Sequence, residues 1–562
     1  MKKKGFTLIE LLAVIVILAV IAIIVTPMIM GTIKSARENA AKASVLNYVN
    51  AVDEYAAATL AKGGTFEDRK YNVLELSAVE TTGAKPTSGH VTVVKGSVTD
   101  FDLTTGNYEV KRTGIDGEVT VTEVGSSSTV AKLTGTPIST IVDNLITAAG
   151  TNTYTYLGGT YLKGAQTNNY VWFNGFVWRI MGKDADGNIR MITEENVTAI
   201  PWGASGSAQQ YGSSYAKKWV SSYFYDHISP NNQSIIKYTQ FCEDSTAITS
   251  STSARTTCSV ATVGSKGGLL SFDEYNLSGG SSSYLVNGQY YWTLTAQSTL
   301  AAWDVRRYGR ADYDVVTSAF GLRPVITISS DAIITSGDGT LSATSNGYIL
   351  NQTLDNVTNK KVSEVVTSGE YVTYDGRTYR VVEKNSDGVK LILDGFYTTD
   401  TAYGTDFSTM GSTLNDTNFQ NWLLPTKTPQ PVKWYRGAYF VDGNDYTNNL
   451  STSNTSNEFQ ITSGNKSIGL IKIGEIMSGQ SLSMITSNYK TMNDISNRYS
   501  RTNRYWTLTP YGALNAWNVS HSGFARNDGV TYAYGLRPVI VISSDATITS
   551  GNGTLTAPFE VN

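Results

Sequence analysis

Charged residues, cysteines and histidines are all scarce in this chain. Only 16% of its 562 residues are charged and the formal net charge is −3. A nucleic-acid partner would require a basic surface, which this composition does not provide. The chain contains three histidines (His90, His227 and His521) and two cysteines. We therefore predict no nucleic-acid interface and no cofactor.

What is abundant indicates a β-rich protein outside the cell. Tyrosine (34) far exceeds phenylalanine (16), and Gly, Ser, Thr and Asn separate short β-branched runs. These are the signals of short strands joined by many turns. A chain of this length should hold about three globular units.

The two cysteines, Cys242 and Cys258, have 15 residues between them. In an exported chain, such a pair is typical of a disulfide that closes a surface loop. The chain-entropy estimate of its stabilisation is roughly 3 kcal/mol. A pair of reduced thiols is the alternative, whereas a zinc site lacks nearby ligands. We predict no metal site.

The N-terminus combines a basic start, a Gly-Phe junction and one acid inside an apolar run. Lys2–Lys4 precede Gly5 and Phe6, and Glu10 lies near the start of the apolar stretch 8–30. These 23 residues span roughly 35 Å as a helix, which is enough to cross a bilayer. The lysines favour a cytoplasmic N-terminus. A lone carboxylate in a membrane helix is costly unless it has a partner.

This segment closely resembles the class III signal of type IV prepilins. The resemblance implies that prepilin peptidase removes residues 1–5 by cleaving after Gly5, and that Phe6 becomes N-methylated. It also implies that Glu10 meets the amino terminus of a neighbouring subunit during assembly. An ordinary secretory signal would place a small-residue cleavage site after its apolar region, and none follows here. A plain membrane anchor would leave Glu10 and Gly5-Phe6 without a role.

The helix continues beyond the apolar run. Apolar residues at positions 45, 49, 52, 56 and 60 follow helical spacing, and Gly63-Gly64 provides a stop. The pattern predicts one helix over about 6–62, kinked at Pro27. Short strands at 90–94, 108–111 and 118–121 should cover its apolar stripe. A pilin-like domain is therefore predicted over 6–135.

The remainder of the chain contains a repeat. Tyr291–Thr295 recurs as Tyr505–Thr509, and Gly321–Ile326 recurs as Gly535–Ile540. At this offset of 214, 33 of the 51 positions from 291 to 341 are identical. Weaker correspondences relate 174–187 to 375–388, Trp219 to Trp422 and 268–270 to 469–471. We predict two modules, over 150–345 and 365–562, joined by residues 335–370.

Each module resembles a module common in surface proteins of Gram-positive bacteria. More distantly, it resembles the C-type-lectin-like and formylglycine-generating-enzyme-like folds. The predicted class is α+β: a long pilin helix with an antiparallel β headgroup, followed by two β-rich lectin-like modules. Catalysis is not expected, because no nucleophile–base pair recurs and no histidine has a counterpart in the other copy. Formylglycine-generating enzymes use cysteines, which the second copy lacks.

Candidate ligand-binding residues lie in the repeated frame and where the copies differ. Aromatic and guanidinium groups suit sugars and carboxylates, but a framework Trp is usually core and a strand Arg usually fixes a loop. The segment 306–310 of the first copy is replaced by 520–524 in the second, so the modules should present different surfaces. A solvated loop is the alternative, and Asp184–Asn188 is better explained as a hairpin turn than as a calcium loop. The candidates are Trp303, Arg306, Arg307, Arg310, Trp517, His521 and Arg526, with Arg323 and Arg537 in the shared frame.

Together these features predict a type IV pilus subunit, minor or located at the tip, that displays two binding modules for surface attachment. Its partners would be prepilin peptidase, other pilin subunits, the membrane before assembly, and a glycan or another host or surface ligand. It would be a single-pass membrane precursor and then part of an extracellular pilus. The alternatives are a pseudopilin of a secretion or DNA-uptake apparatus, and an anchored stalk that does not assemble.

Overall fold

The structure, a computed structural model, divides into unit 1 (residues 1–132) and unit 2 (residues 133–562). It describes residues 37–63, 66, 68–73, 76, 79–82, 85–86, 88–106, 108–115, 117–123, 133, 135–204, 210–225, 228–243, 254–258, 262–342, 344–351, 357–385, 387–397, 401–402, 408–432, 434, 467–477, 504–510, 514–520, 523 and 525–562. The predicted leader, the transmembrane stretch 8–30 and Pro27 lie outside these residues. Among the residues that are described, no helix combines the length and apolarity required to cross a bilayer.

Unit 1 packs one helix on one antiparallel sheet. Helix α1 covers residues 37–61, so only this part of the predicted helix is described. The sheet follows chain order: β1 (Arg69–Asn72), β2 (Ser88–Val94), β3 (Ser97–Thr105), β4 (Tyr108–Arg112) and β5 (Thr120–Glu123). The helix buries Val45, Tyr48, Val49 and Val52 in one core with apolar residues of the strands. Spacing of three and four residues places these four side chains on one helical face.

Unit 2 contains two large sheets. The strands of its first half, residues 133–351, are β6 (Thr136–Pro137), β7 (Thr153–Tyr156), β8 (Gly159–Leu162), β9 (Tyr170–Phe173), β10 (Phe176–Lys183), β11 (Ile189–Thr193), β12 (Thr198–Ile200), β13 (Thr239–Cys242), β14 (Thr262–Ser265), β15 (Tyr291–Ala296), β16 (Ala301–Val305), β17 (Ala311–Val315), β18 (Phe320–Leu322), β19 (Val325–Ile328), β20 (Ile333–Ser336), β21 (Leu341–Ser342), β22 (Ser345–Asn346) and β23 (Tyr348–Leu350). The large sheet has the order β19-β11-β10-β9-β23-β20-β6, and β8 joins β10 to β7. A smaller sheet has the order β12-β18-β15-β16-β17.

The strands of the second half, residues 357–562, are β24 (Tyr371–Tyr374), β25 (Arg377–Asn385), β26 (Gly388–Leu393), β27 (Thr401–Ala402), β28 (Ile468–Gly469), β29 (Tyr505–Pro510), β30 (Asn515–Val519), β31 (Ala525–Gly529), β32 (Ala533–Tyr534), β33 (Val539–Ile542), β34 (Ile548–Ser550) and β35 (Phe559–Val561). Its large sheet runs β28-β33-β26-β25-β24-β35-β34, and β29-β30-β31 form a smaller one. From β33 to β34 this order matches β19-β11-β10-β9-β23-β20 of the first half. The parallel pairs also match, since β23 pairs with β9 and β35 with β24.

Short helices connect these strands. They are α2 (Ile138–Ala149), α3 (Tyr215–Trp219), α4 (Pro230–Gln233), α5 (Phe272–Leu277), α6 (Val362–Val365), α7 (Ser408–Leu414), α8 (Thr417–Leu423) and α9 (Ile473–Met477). Single 3-10 turns lie at Tyr211–Ser213 and Gly280–Ser282, and Val220–Phe224 forms a π-helical turn. The β-rich α+β class is confirmed.

Two stretches are ordered parts of unit 2, although one lies between the predicted pilin-like domain and the first predicted module and the other overlaps the predicted connection over 335–370. Strand β6 and helix α2 occupy residues 136–149, and Ile138, Val142 and Leu145 of α2 lie in the core. Residues 333–350 provide β20 and β23 of the first large sheet. Both stretches contain several Ser and Thr residues, which are also common in loops.

The Asp-Gly segment between β10 and β11 is a hairpin turn. Asp184 Oδ1 accepts hydrogen bonds from the backbone N–H groups of Asp186 (3.0 Å) and Asn188 (2.8 Å). The carboxylate therefore closes the turn in the manner typical of Asx-turns.

Candidate functional sites

The two framework tryptophans are core residues. Trp303 on β16 is only 4% exposed, with its ring centroid 4.2 Å from that of Phe272 and 5.5 Å from that of Tyr313. Trp517, its counterpart on β30, is also buried. Because other side chains cover these rings, neither tryptophan offers a face to a ligand.

Arg306 lies at the centre of an acidic cluster. Its Nε is 2.9 Å from Asp304 Oδ1, and its Nη2 is 3.2 Å from Asp314 Oδ2. The guanidinium also lies 5.2 Å from the ring centroid of Tyr290 and 5.6 Å from that of Phe320. Arg306 is therefore engaged within its own module, in ion pairs and cation–π contacts.

Asp304 is the buried acid of this cluster. Burial raises the pKa of Asp304 to about 7, an effect that the neighbouring Arg306 opposes and that Asp314 and Asp312 reinforce. Its counterpart at the offset of 214 is Asn518, which needs no compensating charge. The carboxylate of Asp304 is thus poised between protonation states near neutral pH.

A related cluster in the second half is assembled from different positions. Asp528, the counterpart of Asp314, lies 3.4 Å from Arg504 Nη1 and 2.8 Å from Arg526 Nη2. The guanidinium of Arg504 lies 5.4 Å from the ring centroid of Tyr534, the counterpart of Phe320. Position 504 corresponds to Tyr290, and position 520, a serine, corresponds to Arg306. In both halves an arginine therefore lies between the aromatic ring and the aspartate at corresponding positions: Phe320 and Asp314 in the first half, Tyr534 and Asp528 in the second.

The turn between β16 and β17 is exposed. Tyr308 is 73% exposed, and the side chain of Arg310 is 76% exposed while pairing with Asp312 at 2.7 Å. Arg307 stacks on Tyr308 with its guanidinium carbon 4.3 Å from the ring centroid. On β17, Tyr313 is 50% exposed. Of the candidates in the first half, Arg307 and Arg310 lie at this surface, whereas Trp303 and Arg306 are engaged below it.

The corresponding turn of the second half packs on the first half. The Gly523 carbonyl accepts a hydrogen bond of 2.9 Å from Asn196 Nδ2, and Ala525 N donates to Ala319 O at 3.2 Å. His521 lies outside the described residues. The two turns therefore have different surroundings, one in contact with a neighbouring half and the other exposed.

The two strand arginines, Arg323 and Arg537, hold backbone segments of their modules in place. Arg323 Nε donates to Thr193 O at 2.8 Å and its Nη1 donates to Leu285 O at 2.6 Å. Arg537 Nε donates to Leu393 O at 3.1 Å. Both arginines are buried, so their guanidinium groups hold backbone carbonyls rather than a ligand.

Sequence reasoning missed a buried ion pair that occurs in both halves. Arg190 Nε lies 2.9 Å from Glu274 Oε1, and Lys390 forms the corresponding pair with Glu475. Each glutamate also accepts the backbone N–H of the residue that precedes its helix, Ser271 at 2.9 Å or Lys472 at 2.8 Å. The signal was available, because extending the match of 268–270 with 469–471 by four residues aligns the two glutamates.

Cys242 and Cys258 form a disulfide with a Cα–Cα distance of 5.8 Å. The segment beside Cys258 is anchored to α5, since Arg255 donates to Asp273 through its backbone N (3.0 Å) and its Nη2 (2.8 Å). Position 273 corresponds to Gly474 in the second half, so this anchor is specific to the first. Within the described part of the chain, no group of three or more His, Cys, Asp or Glu side chains is arranged to hold a metal ion.

Comparison with known proteins identifies the N-terminal segment. Residues 1–26 match the model of the prokaryotic N-terminal methylation motif. The match contains Gly5, Phe6 and Glu10, which themselves lie outside the described residues. No curated protein and no solved structure matches the chain significantly. The motif supports a type IV pilin-like class III signal, and therefore a type IV pilin-like or pseudopilin-type protein. It implies processing by prepilin peptidase and assembly with other pilins.

Proposed function

We propose that the chain is a type IV pilus subunit, minor or located at the tip, that carries binding modules for surface attachment. The observation that carries this proposal is the methylation motif over residues 1–26. The packing of α1 on a sheet in unit 1 supports it, because a pilin needs a helix whose second half is covered by its own headgroup. Unit 2 would supply the attachment surfaces.

The mature subunit would begin at Phe6. In a filament, its apolar helix would pack among the helices of other subunits, and Glu10 would pair with the amino terminus of a neighbour. Such a desolvated charge pair aligns subunits more effectively than it stabilises them, because desolvation offsets much of the attraction. Pro27 would bend the helix between its buried and headgroup-covered parts.

The size of unit 2 favours a minor or tip position. Residues 133–562 would be repeated at every position if this chain were the main subunit of a thin fibre, and they would crowd one another. At the tip, the same residues would have free access to a surface. Immunogold labelling of purified fibres should therefore mark their ends or isolated points, and labelling along the whole length would contradict a minor role.

We propose binding rather than catalysis for unit 2. The repeated polar groups already make hydrogen bonds or ion pairs inside the modules, as Arg323, Arg537 and the Arg190–Glu274 pair illustrate. The surfaces that differ between the two halves are turns on a rigid scaffold, where recognition commonly lies.

Substitution of Glu10 separates this proposal from its alternatives. Glu10→Ala should leave membrane insertion intact while removing the protein from the sheared surface fraction, measured by immunoblotting of both fractions. Glu54→Ala, at an exposed position of α1, is the matched control and should assemble normally. Normal surface recovery of the Glu10 variant would support an anchored stalk instead. Assembly that depends on a secretion or DNA-uptake apparatus, with no surface fibre, would support the pseudopilin.

A further inference from the structure

The free edge of the smaller sheet in the first half exposes apolar and aromatic side chains. Tyr308 and Tyr313 are 73% and 50% exposed, and Leu300 and Val315 are also more than half exposed. We call these four residues the tyrosine edge. Tyr313 and Val315 point to the same face of β17, because alternate residues of a strand share a face. Apolar groups left in water at a sheet edge are a recurrent feature of interaction sites.

The tyrosine edge is held in place by contacts with the rest of its module. The turn between β16 and β17 is closed by hydrogen bonds of 2.8 Å from Arg306 N to Arg310 O and from Gly309 N to Arg306 O. The Tyr275 hydroxyl donates to the Gly309 carbonyl from inside the module, and the rings of Tyr313 and Trp303 pack in a T-shaped arrangement. A surface ordered before binding loses less conformational entropy when a ligand arrives.

The charges around the edge are balanced. Residues 303–315 contain three arginines and three aspartates, and Arg306 and Arg310 are already paired with Asp304, Asp312 and Asp314. A polyanion or a polycation would need a surplus of the opposite charge. The balance therefore favours an uncharged ligand.

The backbone of β17 is protected against strand addition. Tyr313 N donates to Asp312 Oδ1 at 3.0 Å, and Val315 N donates to Asp314 Oδ1 at 2.7 Å. These N–H groups are thus occupied, whereas a peptide that added a strand would need them. The partner that remains is one that uses the side chains.

We propose that the tyrosine edge binds a neutral polysaccharide. A sugar ring has an apolar C–H face that can lie on a tyrosine ring, and hydroxyls that can donate to Asp312 and accept from Arg310. Both side chains reach solvent beside the tyrosines. The second half does not offer this surface, because Asn527 and Gly529 stand where the first has Tyr313 and Val315. The proposal rests on the proposed attachment function and names the ligand class.

The test measures binding of the purified full-length chain, in detergent, to immobilised mannan, galactan and β-glucan, with hyaluronan and heparin as acidic comparators. We expect binding to at least one neutral polymer, with little change between low and high salt. Tyr308→Ala and Tyr313→Ala should each weaken it about tenfold or more, a loss of about 1.4 kcal/mol. Tyr313→Phe, which keeps the ring, should bind nearly as well as the unmodified chain.

Tyr532→Ala is the matched control, because Tyr532 is an exposed tyrosine of the second half, and it should leave binding unchanged. Absence of binding to every neutral polymer, salt-sensitive binding to the acidic polymers alone, or full binding by Tyr313→Ala would each overturn the proposal. Attachment of fibres that requires Tyr313 but survives enzymatic removal of surface glycans would indicate a protein partner and also overturn it. Because binding is measured on purified protein, its failure is distinct from a failure of assembly in the Glu10 experiment.

Discussion

At the scale of single residues, the two halves of unit 2 pair corresponding aspartates with arginines from different sequence positions. An aspartate (Asp314 or Asp528) and an aromatic ring (Phe320 or Tyr534) keep their places, but the arginine between them comes from position 306 in one half and 504 in the other. The cluster, rather than any one arginine, is what both halves retain.

This exchange predicts compensation. Arg306→Ser should lower the free energy of unfolding by about 1–3 kcal/mol, because it leaves a partly buried acidic cluster without its cation. Adding Tyr290→Arg, which reproduces the arrangement of the second half, should restore part of that loss. Denaturant midpoints of the single and double variants measure it, and a double variant no more stable than Arg306→Ser would contradict the compensation.

Asp304 predicts a dependence of stability on pH. Its pKa of about 7 in the folded protein exceeds the ordinary value of 3.8. Its stabilising contribution is therefore complete below pH 3.8 and is lost as the pH rises through 7. Asp304→Asn should flatten the decline in unfolding free energy between pH 4 and pH 8.

Denaturant unfolding of both chains across this range measures the difference. Asn518→Asp, at the corresponding position of the second half, should introduce a decline of the same sign. Parallel pH profiles for the unmodified chain and Asp304→Asn would show that the carboxylate ionises without cost.

At the scale of elements, a buried ion pair between a glutamate and an arginine or lysine joins a helix to the large sheet in each half. Glu274 links α5 to Arg190 on β11, and Glu475 links α9 to Lys390 on β26. The glutamates cap their helices as well, so one side chain serves both the helix start and the sheet contact. Lys390 has a second carboxylate, Glu383, at 2.7 Å.

The two glutamates should therefore differ in importance. Glu274→Ala should cost roughly 3–5 kcal/mol, because it strands the charge of Arg190 in the core. Glu475→Ala should cost about half as much, because Lys390 retains Glu383. Equal losses in chemical denaturation, or a larger loss for Glu475→Ala, would contradict this account.

Elements formed by interactions between residues close in sequence could be predicted, whereas contacts between distant residues could not. The strands at 291–296 and 505–510 and the hairpin at 184–188 are marked by local patterns, and the helical spacing from 45 to 52 marked the buried face of α1. The Arg190–Glu274 pair joins residues 84 positions apart, and its counterpart uses lysine at an offset of 200 rather than 214. The repeat aligns the two glutamates, but no local pattern shows which cations they meet. The burial of Trp303 and the exposure of Tyr313 likewise depend on which neighbours the fold brings together.

At the scale of the whole molecule, the two halves of unit 2 share a core. The rings of Trp172 and Tyr371 lie 5.8 Å apart, and Arg380 Nη2 donates to Gly175 O at 3.1 Å. Asn346 donates to Thr554 Oγ1 and accepts from Thr556 N, each at 3.1 Å. The two halves are therefore packed against each other as parts of one unit.

These contacts predict that the halves unfold together. Calorimetry of the full-length chain should show one transition for unit 2, and Trp172→Ala should lower or split it because a buried aromatic contact between the halves is lost. Tyr532→Ala, at an exposed position, should leave the transition unchanged. Two separate transitions in the unmodified chain would contradict the coupling.

The proposed filament role depends most on the N-terminus, because the methylation motif over residues 1–26 is the observation that carries it. The most direct measurement is mass spectrometry of the N-terminal peptide from protein sheared off the cell surface. We predict a chain that begins at methylated Phe6, with residues 1–5 removed. An intact Met1 found only in the membrane fraction would contradict it.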